Sequence, residues 1–339
     1  MDKVRLGRTG LMVTRTSFGA LPIQRDDMDT AVSILRKAYD AGINYFDTAR
    51  AYTDSEEKIG RALGHVRQNL VISTKTNKTD KAGVLADLEE SLRMLKTDYI
   101  DVYQLHNIAF LPDPADPDSV YGALLEAKKA GKIRHIGITN HRIDLAMEAV
   151  KSGAYETMQF PFCYLSGQRE IDLVNLCRET DTGFIAMKAL SGGLCGNVPA
   201  TFCFLRQYEN VVPIYGIQHE WELDEFLALD ANPPVLDAEM EQAIADDRKT
   251  FAGEFCRSCA YCMPCPQGIN IPTAARIYWL CTRSPYQNYM TPEFYEEMQR
   301  VKDCIHCGAC AKKCPFGLDT PALLAKQYEM YMEFYEAHK

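Results

Sequence analysis

Eight of the 13 cysteines fall into two closely spaced groups near the end of the 339-residue chain. Two residues separate successive cysteines in the first group, whereas the second has spacings of two, two and three residues. Thiolates at such short spacing can converge on one metal centre, and nothing in this sequence indicates the oxidising compartment that disulfides require. The first group is Cys256, Cys259, Cys262 and Cys265, and the second is Cys304, Cys307, Cys310 and Cys314.

The second group resembles the bacterial ferredoxin pattern Cys-x2-Cys-x2-Cys-x3-Cys-Pro residue for residue. The doubled pattern predicts two [4Fe–4S] clusters, whereas structural zinc, the alternative, prefers separated pairs of cysteines. In two-cluster ferredoxins the cysteine before proline ligates the other cluster. Cys314 would then complete the first cluster and Cys265 the second, although the first group is one residue short before Cys265. The helical patterns between the groups, at 273–282 and 292–301, resemble an α-helical ferredoxin module.

Four further titratable residues, Asp47, Tyr52, Lys75 and His106, lie just after three successive predicted strands. One histidine at the end of a strand is more often structural than catalytic. The carboxyl ends of successive strands, however, would bring all four side chains to the same place. Four titratable residues would rarely meet there by chance, so they are candidates for a catalytic site.

The elements that must position these residues alternate strands with helices over the first 230 residues. This alternation predicts an α/β fold, a (β/α)₈ TIM barrel whose site lies at the carboxyl ends of its strands. An N-terminal hairpin with a turn at 7–10 would close the bottom of the barrel. The predicted barrel strands are 16–18, 43–46, 70–74, 100–105, 133–138, 157–160, 184–187 and 211–215, and the predicted helices are 28–41, 55–63, 82–95, 120–131, 143–151, 170–180, 199–208 and 221–228.

The composition excludes several classes of protein. Apolar residues make up 47% and charged residues 24% of the chain, as in soluble globular proteins. No apolar run is long enough for a transmembrane helix, and the charged N-terminus predicts no signal peptide, so we expect a cytoplasmic protein without a membrane partner. The net charge of −9 argues against binding to nucleic acid.

The contexts Asp47-Thr-Ala-x-x-Tyr52 and Leu-His106 resemble those of the aldo-keto reductase family, and the likeness extends over roughly the barrel region. It implies an oxidoreductase that reduces a carbonyl, or oxidises an alcohol, with NADP(H) or NAD(H). Tyr52 would be the general acid/base, with its pKa lowered by Lys75, which Asp47 would hold. His106 would orient the carbonyl oxygen. With the cysteine groups, the chain resembles the iron–sulfur-containing branch of this family, which carries a C-terminal ferredoxin-type domain.

The resemblance also implies where the nicotinamide cofactor binds. Polar groups after the fifth and sixth strands would hold the carboxamide, and glycine-containing loops after the seventh and eighth would approach the pyrophosphate. Met187 replaces the usual stacking aromatic residue, and the loop at Gly216 lacks the family's ligands for the 2′-phosphate, so NADPH and NADH both remain open. The cofactor-binding candidates are Gly19, Ala20, Thr139, Asn140, Gln159, Met187, Lys188, Ser191, Gly193, Gly216 and Gln218.

Asn232-Pro233-Pro234 interrupts the strand–helix pattern, and Asp237 is a predicted helix N-cap. We therefore predict a barrel at 1–235, a linker helix at 236–250, a ferredoxin-type domain with two clusters at 251–320 and a C-terminal docking helix at 321–339. The docking helix carries Leu324, Tyr328, Tyr331 and Tyr335 on one side.

Two functions remain open from the sequence. The first is an NAD(P)H-dependent enzyme acting on a small carbonyl or alcohol, whose clusters relay electrons to a ferredoxin or flavoprotein, or are structural. The second is an electron-transfer or ligand-binding subunit whose barrel does not turn over NAD(P)H. The four acid–base residues favour the enzyme, because a binding barrel needs no tuned proton donor. Air-sensitive clusters would also favour an anaerobic source.

Overall fold

The computed structural model of the protein describes residues 1–251, 255–283 and 286–339. The chain divides into two compact units. The first comprises Met1–Ala189 and Phe202–Leu236, and the second comprises Leu190–Thr201 and Asp237–Lys339. The second unit thus includes a segment of the predicted barrel region. Residues 252–254 and 284–285 of the predicted ferredoxin-type domain lie outside the described residues.

An antiparallel hairpin, β1 (Lys3–Arg5) and β2 (Met12–Thr14), begins the first unit, with a 3₁₀ turn between its strands. Leu6 and Val13 are fully buried, and they share an apolar cluster with residues that begin the barrel strands, such as Tyr45 and Val71. The hairpin therefore closes the end of the barrel at which the strands start, as the sequence predicts.

Eight parallel strands form a closed barrel in the first unit, so the predicted TIM barrel is confirmed. Each strand pairs with its predecessor along the chain, and the last pairs with the first. The register aligns Lys75 with Gln104, His106 with Thr139, and Thr139 with Gln159. The strands are β3 (Ser17–Gly19), β4 (Tyr45–Asp47), β5 (Val71–Thr76), β6 (Ile100–His106), β7 (Ile133–Thr139), β8 (Thr157–Pro161), β9 (Gly183–Met187) and β10 (Val211–Gly216).

A helix follows each barrel strand. Short polar side chains cap several of these helices: Asp27 accepts from the Thr30 amide, Asp80 from that of Gly83, and Ser119 from that of Gly122. Such caps satisfy amide groups that have no partner within the helix. The helices are α1 (Met28–Asp40), α2 (Ser55–Leu63), α3 (Lys81–Leu95), α4 (Val120–Lys129), α5 (Ile143–Lys151), α6 (Gln168–Glu179), α7 (Val198–Arg206) and α8 (Glu220–Ala231).

The second unit is helical and has its own apolar core. Leu324 and Tyr331 of the last helix are buried in this core, and Tyr328 and Tyr335 pack against it. The aromatic stripe predicted at the C-terminus therefore faces the interior of its own unit. The helices are α9 (Ala238–Thr250), α10 (Ile271–Ala274), α11 (Ile277–Arg283), α12 (Pro292–Gln299), α13 (Ala309–Lys313) and α14 (Thr320–His338).

Within the described ranges, no helix combines the length and the apolar character needed to cross a bilayer.

Helices α2 and α3, which follow the strands of Asp47 and Lys75, approach closely at Gly60. A Cβ at this position would lie 2.2 Å from the Met94 carbonyl oxygen and 2.8 Å from the Leu95 carbonyl carbon. Both atoms belong to the backbone, so a larger residue requires the two helices to separate.

We expect Gly60→Ala to lower the free energy of unfolding by about 1–3 kcal/mol because the added methyl group overpacks this contact. The measurement is urea unfolding followed by far-UV circular dichroism. Gly64→Ala is the matched control: its Cβ would make only ordinary van der Waals contacts with Lys96, of which the shortest is 3.5 Å. We expect this control to stay within about 0.5 kcal/mol of the parent. Equal losses in the two variants would contradict the assigned contact.

Candidate functional site

A buried ion pair lies at the carboxyl end of the barrel. Asp47 ends β4 and Lys75 lies near the end of β5, with exposures of only 2% and 1%. The Lys75 Nζ donates to Asp47 Oδ1 at 2.6 Å and to the Thr48 carbonyl oxygen at 2.6 Å. A buried ammonium group is costly without such partners, so these contacts hold the charge in one place.

Neighbouring strands supply further hydrogen bonds to the Asp47 carboxylate. Ser73 Oγ donates to Oδ2 at 2.5 Å, while the amides of Gln104 and Gln159 donate at 3.4 and 3.3 Å. The Gln104 amide also donates to Gln159 Oε1 at 2.8 Å. The carboxylate is therefore fixed from three other strands, β5, β6 and β8.

Sequence reasoning missed Ser73 and Gln104. Each lies two residues before a predicted site residue, Lys75 or His106, and side chains two apart on a strand share a face. That spacing is the signal that could have found them. Gly137 on the adjacent strand leaves room for Gln104, since a Cβ there would lie 2.9 Å from Gln104 Cγ.

Tyr52 and His106 lie beside this ion pair. The Tyr52 ring stands nearly perpendicular to the His106 imidazole, with 5.8 Å between the ring centroids. The Lys75 Nζ is 5.3 Å from the Tyr52 ring centroid. The structure thus brings Asp47, Tyr52, Lys75 and His106 together in the first unit.

A partly buried ion pair holds the loop that carries Tyr52. Arg50 pairs with Glu56, and Thr74 Oγ1 donates to Glu56 Oε1 at 2.6 Å. The Arg50 amide donates to the Lys75 carbonyl oxygen at 3.0 Å, which joins the loop to β5. Glu56 is 1% exposed and was absent from the predicted site. These contacts position Tyr52 relative to Lys75.

Burial dominates the electrostatics of the site. It raises the pKa of Tyr52, whereas the Lys75 charge lowers it, as the sequence predicts; burial has the larger effect, so the net direction is upward. Burial, together with the Lys75 charge, lowers the pKa of His106 to about 3. Tyr52 therefore keeps its hydroxyl proton and His106 stays neutral near pH 7.

The predicted carboxamide ligands differ in their environments. Thr139 and Gln159 are buried side by side on β7 and β8, and Thr139 Oγ1 lies 3.8 Å from Met187 Sδ. The Asn140 side chain instead bonds to the backbone. Its Nδ2 donates to the Ile108 carbonyl oxygen, and its Oδ1 accepts from the backbone amides of the next two residues. Lys188, with backbone φ of +56°, follows Met187.

Other cofactor-binding candidates take part in contacts within the barrel. A Cβ on Gly19 would lie 3.0 Å from the Tyr215 carbonyl oxygen, and one on Gly216 would lie 3.2 Å from Pro22. The Ala20 amide donates to the Asp47 carbonyl oxygen at 2.8 Å. The Gln218 side chain donates to Asp26 Oδ1 at 3.1 Å.

Ser191 and Gly193 lie in the Leu190–Thr201 segment, which belongs to the second unit. The Arg276 guanidinium donates to the Ser191 carbonyl oxygen at 3.3 Å. Gly192 lies beside this guanidinium, and a Cβ there would come within 2.7 Å of Arg276 Nη1; its backbone φ of +65° favours glycine. Arg283 donates to the Leu194 carbonyl oxygen at 3.0 Å. Two arginines of the second unit therefore hold this segment.

Two cavities in the second unit are lined by cysteines. Cys314 lines the cavity of the first cysteine group, and Cys265 lines that of the second group. Cys262 borders both. In the part of the chain that the structure describes, no three histidine, cysteine or acidic side chains converge as for one metal ion. The first cavity has Cys256, Cys259, Cys262 and Cys314, and the second has Cys262, Cys265, Cys304, Cys307 and Cys310.

The cavities fit iron–sulfur clusters in the chemistry of their donors. Thiolates are the usual cluster ligands, and apolar residues such as Ile271, Leu323 and Leu324 form much of the remaining walls. Burial raises the pKa of Cys256 and Cys262 in the absence of a metal, so cluster binding would have to release protons from them.

Several curated proteins are similar to the barrel region. An uncharacterized oxidoreductase of Bacillus subtilis (strain 168), YrpG, is 31% identical over 227 residues, which cover 58% of this chain and 68% of the relative. The L-galactose dehydrogenase of Arabidopsis thaliana is 30% identical over 212 residues, which cover 56% and 65% of the two chains.

Solved structures have the same barrel fold. The holo form of aldo-keto reductase AKR11C1 from Bacillus halodurans aligns with a TM-score of 0.64 at 24% identity, covering 73% of this chain and 96% of that one. An aldo-keto reductase from Klebsiella pneumoniae, solved in complex with NADPH, aligns with a TM-score of 0.63 at 23% identity, covering 73% and 95%.

Two family models match the chain in separate regions. Residues 255–318, which contain both cysteine groups, match the 4Fe-4S dicluster domain. Residues 16–198, more than half of the chain, match the Aldo/keto reductase family. With the closed barrel and the oxidoreductase relatives, this match shows that the chain is an oxidoreductase of the aldo/keto reductase family, extended by a 4Fe-4S dicluster domain.

Proposed function

We propose that the protein reduces a carbonyl compound, or oxidises the corresponding alcohol, by hydride transfer with NADPH or NADH. The observation that carries this proposal is the convergence of Tyr52, Lys75 and His106 beside the buried Asp47 carboxylate. A bound nicotinamide would supply or accept the hydride. Family membership supports the assignment of this chemistry to the barrel.

Tyr52 would be the proton donor in the reducing direction. Its raised pKa keeps the hydroxyl protonated near neutrality, and an alkoxide developing on the substrate is a far stronger base. The Lys75 ammonium group, 5.3 Å from the ring centroid, would stabilise the phenolate that remains. Asp47 would act through Lys75 by holding it in place.

His106 would donate a hydrogen bond to the substrate oxygen as a neutral imidazole. A neutral ring has one N–H donor, and it places no second positive charge beside Lys75. Among the described residues, His106 Nδ1 is a buried atom without a hydrogen-bond partner. Because Nδ1 is closed to solvent, the donor to a substrate would be Nε2–H.

Thr139, Gln159 and Met187 would contact the nicotinamide ring, because Thr139, at the end of β7, pairs with Gln159 on β8 and lies 3.8 Å from the sulfur of Met187 at the end of β9. Asn140 would support this site through its loop. The remaining candidates, Gly19, Ala20, Lys188, Ser191, Gly193, Gly216 and Gln218, stay proposals from the family resemblance, as does the choice between NADPH and NADH.

The eight motif cysteines would hold two [4Fe–4S] clusters with the crossed ligand sets. The cavity linings support this arrangement, since each contains the last cysteine of the other group. We favour a redox role for the clusters, with a ferredoxin or flavoprotein as partner. Two clusters suit a chain of one-electron carriers better than a purely structural role.

We expect Tyr52→Phe to lower kcat/KM for carbonyl reduction by about 10²–10⁴-fold, because it removes only the proton donor. The Kd for NADPH and NADH, from calorimetric titration of the holoprotein, should stay unchanged. Tyr121→Phe on α4, whose hydroxyl bonds to the Ala154 carbonyl oxygen, is the control. Undiminished turnover by Tyr52→Phe would reject the role, and failure to bind either nucleotide would favour a non-catalytic barrel.

His106 should make stability depend on pH. Its folded pKa of about 3 lies below the usual value near 6.5, so the unfolded chain binds the extra proton as the pH falls between these values. Through His106, the free energy of unfolding therefore falls as the pH falls, by up to about 1.4 kcal/mol per pH unit. We expect His106→Gln to lessen the fall in unfolding free energy between about pH 6.5 and 5. An unchanged slope would contradict the buried neutral imidazole.

Protein purified without oxygen should contain close to eight iron and eight sulfide per chain, as two [4Fe–4S] clusters require. Cys307→Ser should lower both values, whereas Cys281→Ala, a buried cysteine of the same unit outside the motifs, should not. Iron and sulfide analysis with electron paramagnetic resonance tests this. Four iron atoms per chain, or stoichiometric zinc, would contradict the two-cluster proposal.

A further inference from the structure

The loop of the second cysteine group reaches the protein surface. Cys307 is exposed, and the large apolar side chain of Ile305, two residues earlier, is 60% exposed. Both residues also line the second cysteine cavity, together with Gly308. A single layer of residues therefore separates this cavity from solvent, so an electron could cross here over a short distance.

The first cysteine cavity is better covered. Arg257, which lines it, lies over the Phe316 ring at 4.2 Å and the Phe255 ring at 4.9 Å. Its cysteines are all partly buried, whereas Cys307 of the second group is exposed. Of the two sites, the second is thus the better placed for exchange with an external carrier.

The segment that carries Cys307 is basic, although the whole chain carries a net charge of −9. Lys312 and Lys313 lie at the exposed end of α13, the helix that starts two residues after Cys307. Among the described residues neither lysine takes part in an ion pair. From 300 to 317 the only acidic residue is Asp303, against four lysine and arginine residues. The local charge is therefore opposite in sign to that of the chain.

We propose that Ile305, Cys307, Lys312 and Lys313 form the docking surface for an acidic one-electron carrier protein of the ferredoxin type. The apolar Ile305 would make the central contact, while the two lysines would attract carboxylates of the carrier. Small interfaces with complementary charge are typical of transient electron-transfer pairs. This inference rests on the cluster assignment proposed above and is independent of the chemistry in the barrel.

The exchange at this surface is a single-electron transfer. The reduced carrier would lose one electron and the second cluster would gain it, with no bond made or broken and no proton transferred. The reverse transfer would use the same surface. Because opposite charges steer the encounter, the association rate should fall as salt screens them.

The test uses anaerobically prepared holoprotein and a reduced acidic plant-type [2Fe–2S] ferredoxin. We expect Lys312→Glu/Lys313→Glu to slow cluster reduction at least tenfold in stopped-flow measurements at about 0.01 M salt, and to weaken binding of the oxidised ferredoxin in calorimetry. Iron content and reduction by dithionite should match the parent, because dithionite needs no protein docking surface.

Lys129→Glu/Lys151→Glu on α4 and α5 is the matched control, since both residues are exposed and the change in total charge is the same. Equal slowing in the two double variants would show a general charge effect and overturn the docking surface. So would unchanged rates in Lys312→Glu/Lys313→Glu. If that variant loses iron, carbodiimide cross-linking of the parent decides: links from ferredoxin carboxylates to Lys312 or Lys313 support the proposal, and links only elsewhere overturn it.

Discussion

The buried pair of Asp47 and Lys75 is the interaction on which the geometry of the barrel site depends. Removing both charges from water is unfavourable, so each needs close partners in fixed positions. Lys75 donates hydrogen bonds to Asp47 and to the Thr48 carbonyl oxygen. The Asp47 carboxylate also accepts hydrogen bonds from Ser73 and from two glutamine amides. Those partners come from several strands, and only a closed barrel with this register brings them to one point.

The same burial sets the protonation states of the neighbouring groups. It raises the pKa of Tyr52 and lowers that of His106, so both side chains are neutral near pH 7 with the Lys75 ammonium group beside them. A protonated hydroxyl and a neutral imidazole suit a site that gives a proton and a hydrogen bond to a carbonyl oxygen. Charge at this site is therefore confined to the ion pair.

The second unit is organised around two sulfur-lined cavities instead of a sheet. Its short helices pack on one apolar core, which includes Cys310 and against which five other motif cysteines pack. The motif cysteines line the cavities. Arg276 and Arg283 instead donate hydrogen bonds that hold the Leu190–Thr201 segment. This segment follows the barrel strand β9 in the sequence but belongs to the second unit.

The sequence was sufficient for the barrel, the hairpin, the cysteine groups and the position of four titratable residues after the strands, because each leaves a local signal. Strand and helix periodicity, the cysteine spacing and the position of a polar residue after a strand can all be read along the chain. Strand boundaries were close to those observed, since apolar runs end where the barrel interior ends.

Tertiary structure alone decided the rest. Three features depend on residues far apart in the chain: the hydrogen bond from Asn140 to the Ile108 carbonyl oxygen, the net direction of the Tyr52 pKa, and the place of Ser191 in the second unit. The crossed lining of the two cysteine cavities could be expected by analogy, but which cysteines border each cavity depends on the folded unit. Local sequence predicts which groups are available for chemistry, whereas burial and hydrogen bonding between distant strands determine the state in which each group is held.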